Sequence, residues 1–310
     1  MEAAAGQVRV GRLGWRSRGD ERRLLAPALI APAIVFILAL VGGPLLLSIY
    51  LSFTDATAGS LGGHFIGLQN FGREWSDPIF RRAVINTFIF VFASQAIVLV
   101  AAGVLANFLM RNFPGKWFLR FLILLPWAAP IALGAIGWKW IFDSLYSVIN
   151  WTLAALHLVN PISPPNWLGE PTLAIASIIA VHAWRLLPFA TIIMLFGLSS
   201  IPSEIEDAAA LDGATGLRKS FWITIPLVLP VATIAVLFGI VFTATDMAVV
   251  YILTNGGPFN STQMLTMWSF QTGIVSASLG SGAAISLFLF PVLLVVSLLM
   301  LVVARRAEVT

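Results

Sequence analysis

Six long, nearly uninterrupted apolar segments constrain the fold of this chain more than any other feature. They lie at about 25–53, 84–110, 120–142, 173–198, 227–251 and 283–304. At a rise of 1.5 Å per residue, about 20 apolar residues match the roughly 30 Å hydrocarbon core of a bilayer. The rest of the composition agrees, since only 10% of the 310 residues are charged, against about 25% in soluble proteins. The sequence therefore predicts an all-α polytopic membrane protein in contact with membrane lipid.

The positions of lysine and arginine predict how these segments are oriented, because cytoplasmic loops carry an excess of them. Thirteen lie in the tails 1–24 and 305–310 and in the second and fourth loops, against three in the first loop. We therefore expect both tails and the polar insert 199–226 to be cytoplasmic, with 25–304 as the membrane domain. The first apolar segment is longer than the core of a signal peptide, about 7–15 residues, so we expect it to be retained. The basic residues form no clustered face on a soluble domain, so no nucleic acid partner is expected.

Catalytic and metal-binding patterns are missing from the sequence. It contains no cysteine, which excludes disulfides, thiolate metal sites and cysteine nucleophiles. The histidines His64, His157 and His182 are far apart, and His182 is interpreted as a packed or hydrogen-bonded helix residue. The stretch 213–220 resembles a phosphate-binding loop, but Arg218 stands where that loop needs its second glycine. We therefore expect no catalytic residue, nucleotide, metal or cofactor site in this chain.

The insert 199–226 separates two apolar segments and carries helix signals of its own. Ser203 and Glu206 have the spacing of a capping box, and Gly213 is placed to end a helix in the left-handed conformation. A second short helix is predicted to run as far as Pro226, which would end it and begin the next span. The insert is thus predicted to form a helix–turn–helix elbow. An amphipathic helix that lies on the membrane surface is the alternative interpretation of the same composition.

The same insert resembles the EAA loop of the permease subunits of bacterial binding-protein-dependent ABC importers. That loop reads Glu-Ala-Ala, three residues, Gly, nine residues, Ile-x-Leu-Pro. This chain has, at the same spacing, Asp207-Ala208-Ala209, Gly213 and Ile223-Thr224-Ile225-Pro226. It departs from the pattern at Asp207, where the family has glutamate, and at Ile225, where the family has leucine.

Further motifs extend the resemblance to the carbohydrate branch of that family, which includes the maltose and glycerol-3-phosphate permeases. They are Phe65-Ile66-Gly67-Leu68-Gln69-Asn70-Phe71, Asn86-Thr87, Trp184-Arg185 with Pro188-Phe189, Gly197-Leu198 with Ile201-Pro202, and Leu253-Thr254-Asn255-Gly256-Gly257-Pro258. They occur in the family's order along most of the chain. The resemblance implies the transmembrane fold of a type I ABC importer, with six transmembrane helices and a cytoplasmic helix–turn–helix coupling elbow.

The resemblance also implies a function and a set of partners. The chain would form half of the translocation path for a sugar or a related polyol or sugar phosphate. Its partners would be a second permease subunit, two cytoplasmic ATPase subunits that bind ATP and Mg²⁺, and an extracytoplasmic solute-binding protein that meets the outer loops 54–82, 143–172 and 252–282. The elbow would dock on an ATPase subunit. The implied coupling residues are Asp207, Ala208, Ala209 and Gly213 for docking, with Ile223, Ile225 and Pro226 as the join to the span.

Ionisable residues inside apolar segments are costly in a membrane and are therefore candidates for function. Arg185 lies near the middle of the fourth segment and Asp246 near the outer end of the fifth. We expect these two residues to pair and to stabilise one access state, and with Asn86 they are the candidate translocation or gating residues. Lys139 and Asp143, four residues apart, are expected to form a structural pair instead. A secondary transporter or channel without ATPase subunits is the alternative, but it would be expected to have midplane acidic sites and inverted repeats, which the sequence lacks.

Overall fold

The computed structural model describes residues 27, 29–60 and 62–307, and this part of the chain is helical apart from turns, loops and two isolated β-bridges. In chain order the helices are α1 Leu29–Ser52, α2 Gln69–Ser76, α3 Pro78–Met110, α4 Lys116–Ala128, α5 Ile131–Ile141, α6 Val148–Ala155, α7 Pro171–Ser199, α8 Ser203–Leu211, α9 Gly216–Ala244, α10 Ala248–Leu253, α11 Leu265–Phe270 and α12 Leu279–Ala307. The expected basic tail 1–24 lies outside the described residues.

The long helices follow from the apolar segments of the sequence. Helices α1, α3, α7, α9 and α12 are long and apolar enough to cross a membrane, and the bent pair α4–α5 is a sixth candidate. The predicted all-α membrane fold is therefore confirmed. Helix α3 begins at Pro78, earlier than the predicted residue 84, because Asp77 caps it: its carboxylate accepts the N–H of Ile79 at 2.6 Å. The basic residues Arg81 and Arg82 consequently lie in the first turns of the helix.

The chain divides into two compact units, 1–50 and 51–310. In the first unit, α1 contains a π-helical turn at Leu38–Gly42, and the side chains of its most apolar stretch are exposed. The second unit holds the other helices, and its centre lies where α3, α7 and α9 pack together. Small side chains allow a close approach there, as membrane helices require. At Gly197 of α7, a Cβ atom would lie only 3.1 Å from side-chain carbons of Val228 and Val231 on α9.

The third apolar segment forms two helices, although the sequence predicts one continuous span at 120–142. Helices α4 and α5 meet at an angle of 97°. The break follows from Pro130, because a residue before proline is driven out of the helical region, and Ala129 is extended with ψ 139°. The prediction that the side chains of Lys139 and Asp143 pair is also wrong. Asp143 lies in the turn after α5, and its carboxylate accepts the N–H groups of Leu145 and Tyr146 at 2.8 and 3.0 Å.

The fifth span differs from the prediction at both of its ends. Pro226 does not end a helix, since α9 runs without interruption from Gly216 to Ala244. The turn Ser220–Thr224 is π-helical, and the N–H of Ile225 reaches Ser220 O, five residues back. In a regular helix, Pro226 would have no N–H to donate to Trp222 O, and its ring would collide with that carbonyl. The wider π-helical turn accommodates the proline. At the other end the helix stops at Ala244, whereas the sequence predicts a span to residue 251.

Candidate functional site

The elbow begins with α8, which starts differently from the prediction. Pro202 is the N-terminal cap residue, and no side-chain cap is formed there. Ser203 is instead the first helical residue, so the predicted capping box with Glu206 is wrong. Glu204 and Glu206 lie in the first turn of α8, where acidic side chains interact favourably with the unpaired N–H groups of a helix N-terminus.

The end of α8 agrees with the prediction for Gly213. Its φ is +70°, the left-handed conformation that glycine adopts without steric cost. The N–H of Gly213 donates to Ala210 O at 3.1 Å, and the N–H of Ala214 donates to Ala209 O at 2.8 Å. These two bonds form a Schellman motif, which satisfies the last carbonyl groups of the helix. The direction in which the chain leaves α8 is therefore set by a short hydrogen-bonded turn.

The implied docking residues do not share one surface. Asp207, Ala208 and Gly213 are exposed, whereas Ala209 is only 4% exposed and packs against its own chain. Ala209 is therefore not available on the exposed face that carries Ala208. Successive residues of a helix are rotated by about 100° around its axis, so neighbouring positions such as 208 and 209 face different surroundings.

Two large apolar side chains at the elbow are exposed, which the sequence did not predict. Leu211 is 90% exposed at the end of α8, and Leu217 is 77% exposed at the start of α9. They lie on either side of the Gly213 turn. An ion pair between Lys219 Nζ and Glu206 Oε2, 3.4 Å long, connects α9 to α8 across the same turn. The elbow thus presents two exposed leucines beside a turn whose two flanking helices are connected by an ion pair.

A buried polar cluster lies between α7 and the C-terminal end of α9. Arg185 Nη2 donates to Asp246 Oδ2 at 3.0 Å, so the predicted contact between these residues is present. His182 Nδ1 lies 2.8 Å from the same carboxylate oxygen, and its Nε2 lies 2.9 Å from Thr243 Oγ1. Gln95 Nε2 of α3 donates to Thr243 Oγ1 at 2.8 Å. The cluster therefore joins three spans through polar groups.

Asp246 reaches this cluster because α9 ends before it. Thr245 is the C-terminal cap residue of α9, and the chain turns at once into α10. The N–H of Val249 in α10 donates to Asp246 Oδ1 at 3.3 Å, and Val249 and Val250 are buried. A continuous helix to residue 251 would have carried Asp246 with it along the helix axis. The interruption places its carboxylate beside Arg185 at the middle of α7.

Asn86, the third candidate translocation residue, belongs to a different contact. Its Nδ2 donates to Ser261 O at 2.8 Å and to Gln263 O at 3.0 Å, which attaches the loop before α11 to α3. The described contacts of Asn86 therefore hold this loop against α3, and they do not connect Asn86 to Arg185 or Asp246.

An aromatic surface lies next to the polar cluster. Phe189, one helical turn after Arg185, stacks on Trp127 with ring centroids 5.0 Å apart and meets Phe242 edge-on at 5.6 Å. Trp127 and Phe242 are exposed. Arg185 Nε is buried and has no hydrogen-bond partner among the described residues. The partly exposed guanidinium of Arg185 therefore lies on the same face of α7 as Phe189.

Comparison with known proteins gives consistent relationships. The family model described as "Binding-protein-dependent transport system inner membrane component" matches residues 99–309. The sulfoquinovosyl glycerol transport system permease protein SmoG of Agrobacterium fabrum is 31% identical over 295 residues, which cover 95% of this chain and 94% of that protein. The trehalose/maltose transport system permease protein MalF of Thermococcus litoralis is 30% identical and covers 91% and 92%.

Two further similarities concern a more distant relative and the fold. The sn-glycerol-3-phosphate transport system permease protein UgpA of Agrobacterium fabrum is 26% identical over 88% of this chain and 92% of that protein. A chain of the crystal structure of a bacterial alginate ABC transporter, in complex with an alginate pentasaccharide-bound periplasmic protein, superimposes with a TM-score of 0.77. It covers 95% of this chain and 98% of that chain at 20% identity, so this similarity concerns the fold.

Proposed function

Because the chain belongs to the family of inner-membrane components of binding-protein-dependent transport systems, we propose that it forms half of the translocation path of an ATP-driven importer. It is a multi-pass permease of the sugar-importing branch. The proposed solute is a sugar or a related polyol or sugar phosphate. The names of the relatives support this class, since those proteins transport sulfoquinovosyl glycerol, trehalose and maltose, and glycerol-3-phosphate.

The proposed assembly contains a second permease subunit, two ATPase subunits that bind ATP and Mg²⁺, and an extracytoplasmic solute-binding protein. The tails and the elbow face the cytoplasm, as the lysine and arginine distribution indicates. The chain's own part in the cycle is mechanical, because the nucleotide chemistry belongs to the ATPase subunits. Spans in two arrangements, open inward or outward, are then selected by partners that bind the two arrangements differently.

The elbow is the proposed coupling element, and the uninterrupted helix from Gly216 to Ala244 is the observation that carries this proposal. A displacement of the Gly213 turn is transmitted along α9 because no loop intervenes between elbow and span. Ile223, Ile225 and Pro226 lie within this helix, in and just after its π-helical turn. A continuous helix is stiffer than a loop, so the elbow acts as a lever on the fifth span.

The proposed docking surface consists of exposed residues on both sides of the turn. Asp207 provides a carboxylate, Ala208 a small side chain that allows close approach, and Leu211 and Leu217 apolar contacts. Exposed leucines on a cytoplasmic turn are expected to be covered by a partner, because burial of an apolar side chain gives about 1.5–3 kcal/mol. Ala209 supports α8 from within the chain.

The proposed solute path passes the polar cluster and the adjoining aromatic surface. Sugars present apolar faces and hydroxyl groups, and exposed rings beside a charged donor match both. Trp127 and Phe242 offer the rings, and the partly exposed guanidinium of Arg185 offers a charged donor. The Arg185–Asp246 pair then stabilises one arrangement of α7 against the end of α9.

The coupling role is tested with two glycine substitutions in the intact complex. Gly213→Val places a branched side chain at φ +70°, and Gly115→Val does the same at φ +80° in the loop between α3 and α4. Both positions have open space for a Cβ atom, so each variant carries a similar backbone strain of about 1–2 kcal/mol. We expect Gly213→Val to lose ATPase subunits on co-purification and Gly115→Val to retain them. Equal retention in the two variants would refute the docking role of the elbow, and uptake into liposomes by this chain alone would refute the importer assembly.

A further inference from the structure

An apolar groove opens between α3, α9 and α12, and no step of the proposed transport cycle uses it. Its volume is about 270 Å³. The floor consists of the buried side chains Val91, Ala244 and Leu289, while Phe88 and Phe92 form an exposed rim with their rings stacked 6.2 Å apart. The groove therefore lies within a single unit of the chain and presents carbon on nearly all sides.

Apart from the indole of Trp75 at one end, the groove offers nothing that would hold a polar solute. Its polar lining residue, Thr87, is already engaged: its hydroxyl donates to Ala83 O at 2.7 Å and accepts the N–H of Leu265 at 2.9 Å. A ligand in the groove must therefore be a hydrocarbon, since a buried polar group without a partner costs free energy.

The dimensions of the groove fit one extended chain. It follows α3 from Val84 to Phe92 and α12 from Phe288 to Val296, a length of about 12 Å at 1.5 Å rise per residue. Half of a hydrocarbon core is about 15 Å thick. The groove is therefore about as long as one acyl chain that spans half of the bilayer.

One end of the groove has the residues expected at a lipid headgroup. The exposed Trp75 lies there and stacks on Phe288 with ring centroids 6.1 Å apart. Arg81 precedes Val84 by three residues on α3 and so extends the same helix face beyond the groove. Its side chain is exposed and forms no ion pair with the described residues. Tryptophan is enriched at the membrane–water interface, and arginine attracts anionic headgroups.

We propose that this groove binds one acyl chain of an anionic phospholipid, whose headgroup lies at Arg81 and whose glycerol region lies at Trp75. The bound lipid fills the space between α3, α9 and α12, and thus contacts the fifth span near its C-terminal end. It is a structural lipid site, separate from the polar cluster and the aromatic surface.

The headgroup contact is tested by native mass spectrometry of the intact complex from nanodiscs of phosphatidylglycerol and phosphatidylethanolamine. The matched variants are Arg81→Gln and Arg82→Gln, since both arginines are exposed and lie at the same depth but about 100° apart around α3. We expect Arg81→Gln to reduce the preference for retained phosphatidylglycerol about fivefold, the effect of one basic residue near an anionic surface. Arg82→Gln is expected to retain the wild-type preference.

The chain contact is tested by filling the groove. Val292→Trp occupies it, while Val295→Trp places the same side chain on an exposed part of α12 outside it. We expect the phospholipid to be lost from the first variant and kept by the second. A photoreactive amino acid at position 92 is expected to form a lipid adduct. Equal lipid retention within either matched pair, or a crosslink to the second permease subunit instead of lipid, would overturn the proposal.

Discussion

Removal of Asp246 is predicted to destabilise the protein much more than removal of its partner Arg185. Asp246 is the centre of the buried cluster, because its carboxylate accepts from His182, Arg185 and the N–H of Val249. Its side chain is 3% exposed, whereas that of Arg185 is 22% exposed. Asp246→Ala therefore leaves a cation and an imidazole without their partner. Arg185→Ala leaves a carboxylate that still has two donors.

The magnitudes follow from this asymmetry. Breaking a buried ion pair so that one charge stays unpaired costs about 3–5 kcal/mol, and we assign the lower end, about 3 kcal/mol, to Asp246→Ala because the Arg185 that remains is partly exposed. For Arg185→Ala we expect about 1.5 kcal/mol, the lower end for a hydrogen bond to a charged group, because water screens the exposed part of the guanidinium. At about 2–4 °C per kcal/mol, the unfolding midpoint falls by roughly 10 °C for Asp246→Ala and by only a few degrees for Arg185→Ala.

The assay is thermal unfolding of the purified importer complex, followed by intrinsic fluorescence, with uptake into proteoliposomes measured in parallel. Asp246→Asn is the informative third variant, since it keeps an oxygen acceptor but removes the charge, and we expect its midpoint to lie between the other two. If Asp246→Ala and Arg185→Ala gave the same midpoint, the central position of Asp246 would be refuted. If Arg185→Ala transported at the wild-type rate, the proposed role of the pair in an access state would be refuted.

Two further predictions concern Glu74 in α2 and the proposed solute path. Burial raises the pKa of Glu74 above its ordinary value of 4.5, although its Oε2 accepts Trp268 Nε1–H at 3.2 Å. The stability that protonated Glu74 gives below pH 4.5 is therefore lost as the pH rises, so Glu74→Gln should raise the unfolding midpoint at pH 7–8 but not at pH 4. A lower midpoint of this variant at pH 7–8 would contradict this reasoning. Trp127→Ala should slow uptake by roughly two- to tenfold, the equivalent of 0.5–1.5 kcal/mol for one aromatic contact. Trp117→Ala, which changes another exposed tryptophan of the same helix, should leave uptake unchanged. Equal rates in the two variants would argue against the aromatic surface.

The parts of the fold that depend on local chemistry were predicted from the sequence. Apolar segments of membrane length became helices, and Gly213 ended α8 in the left-handed conformation. A Schellman turn involves only a few consecutive residues, so its signal lies in the sequence itself. The contact between Arg185 and Asp246 was also predicted, since an ionisable residue in an apolar segment needs a partner and few were available.

The prolines show why other local signals did not suffice. Pro188, Pro230 and Pro291 lie inside continuous helices, and Pro130 breaks the third span by 97°. Each proline removes one N–H, but neighbouring helices and local π-helical turns decide whether the helix continues. Pro226 belongs to the first group, because a π-helical turn precedes it.

Sequence alone determined that this chain is a membrane protein, that its secondary structure is helical, and that a polar elbow with a glycine turn separates two spans. These properties depend on composition and on neighbours within one or two helical turns. Only the tertiary structure decided that the elbow continues into α9, that Ala209 faces inward, and that Gln95, His182 and Thr243 join Arg185 and Asp246 in one cluster. The physical reason is that hydrogen-bond partners more than 60 residues apart are selected by how the spans pack, and packing depends on side-chain shape across helices rather than on the order of residues along one of them.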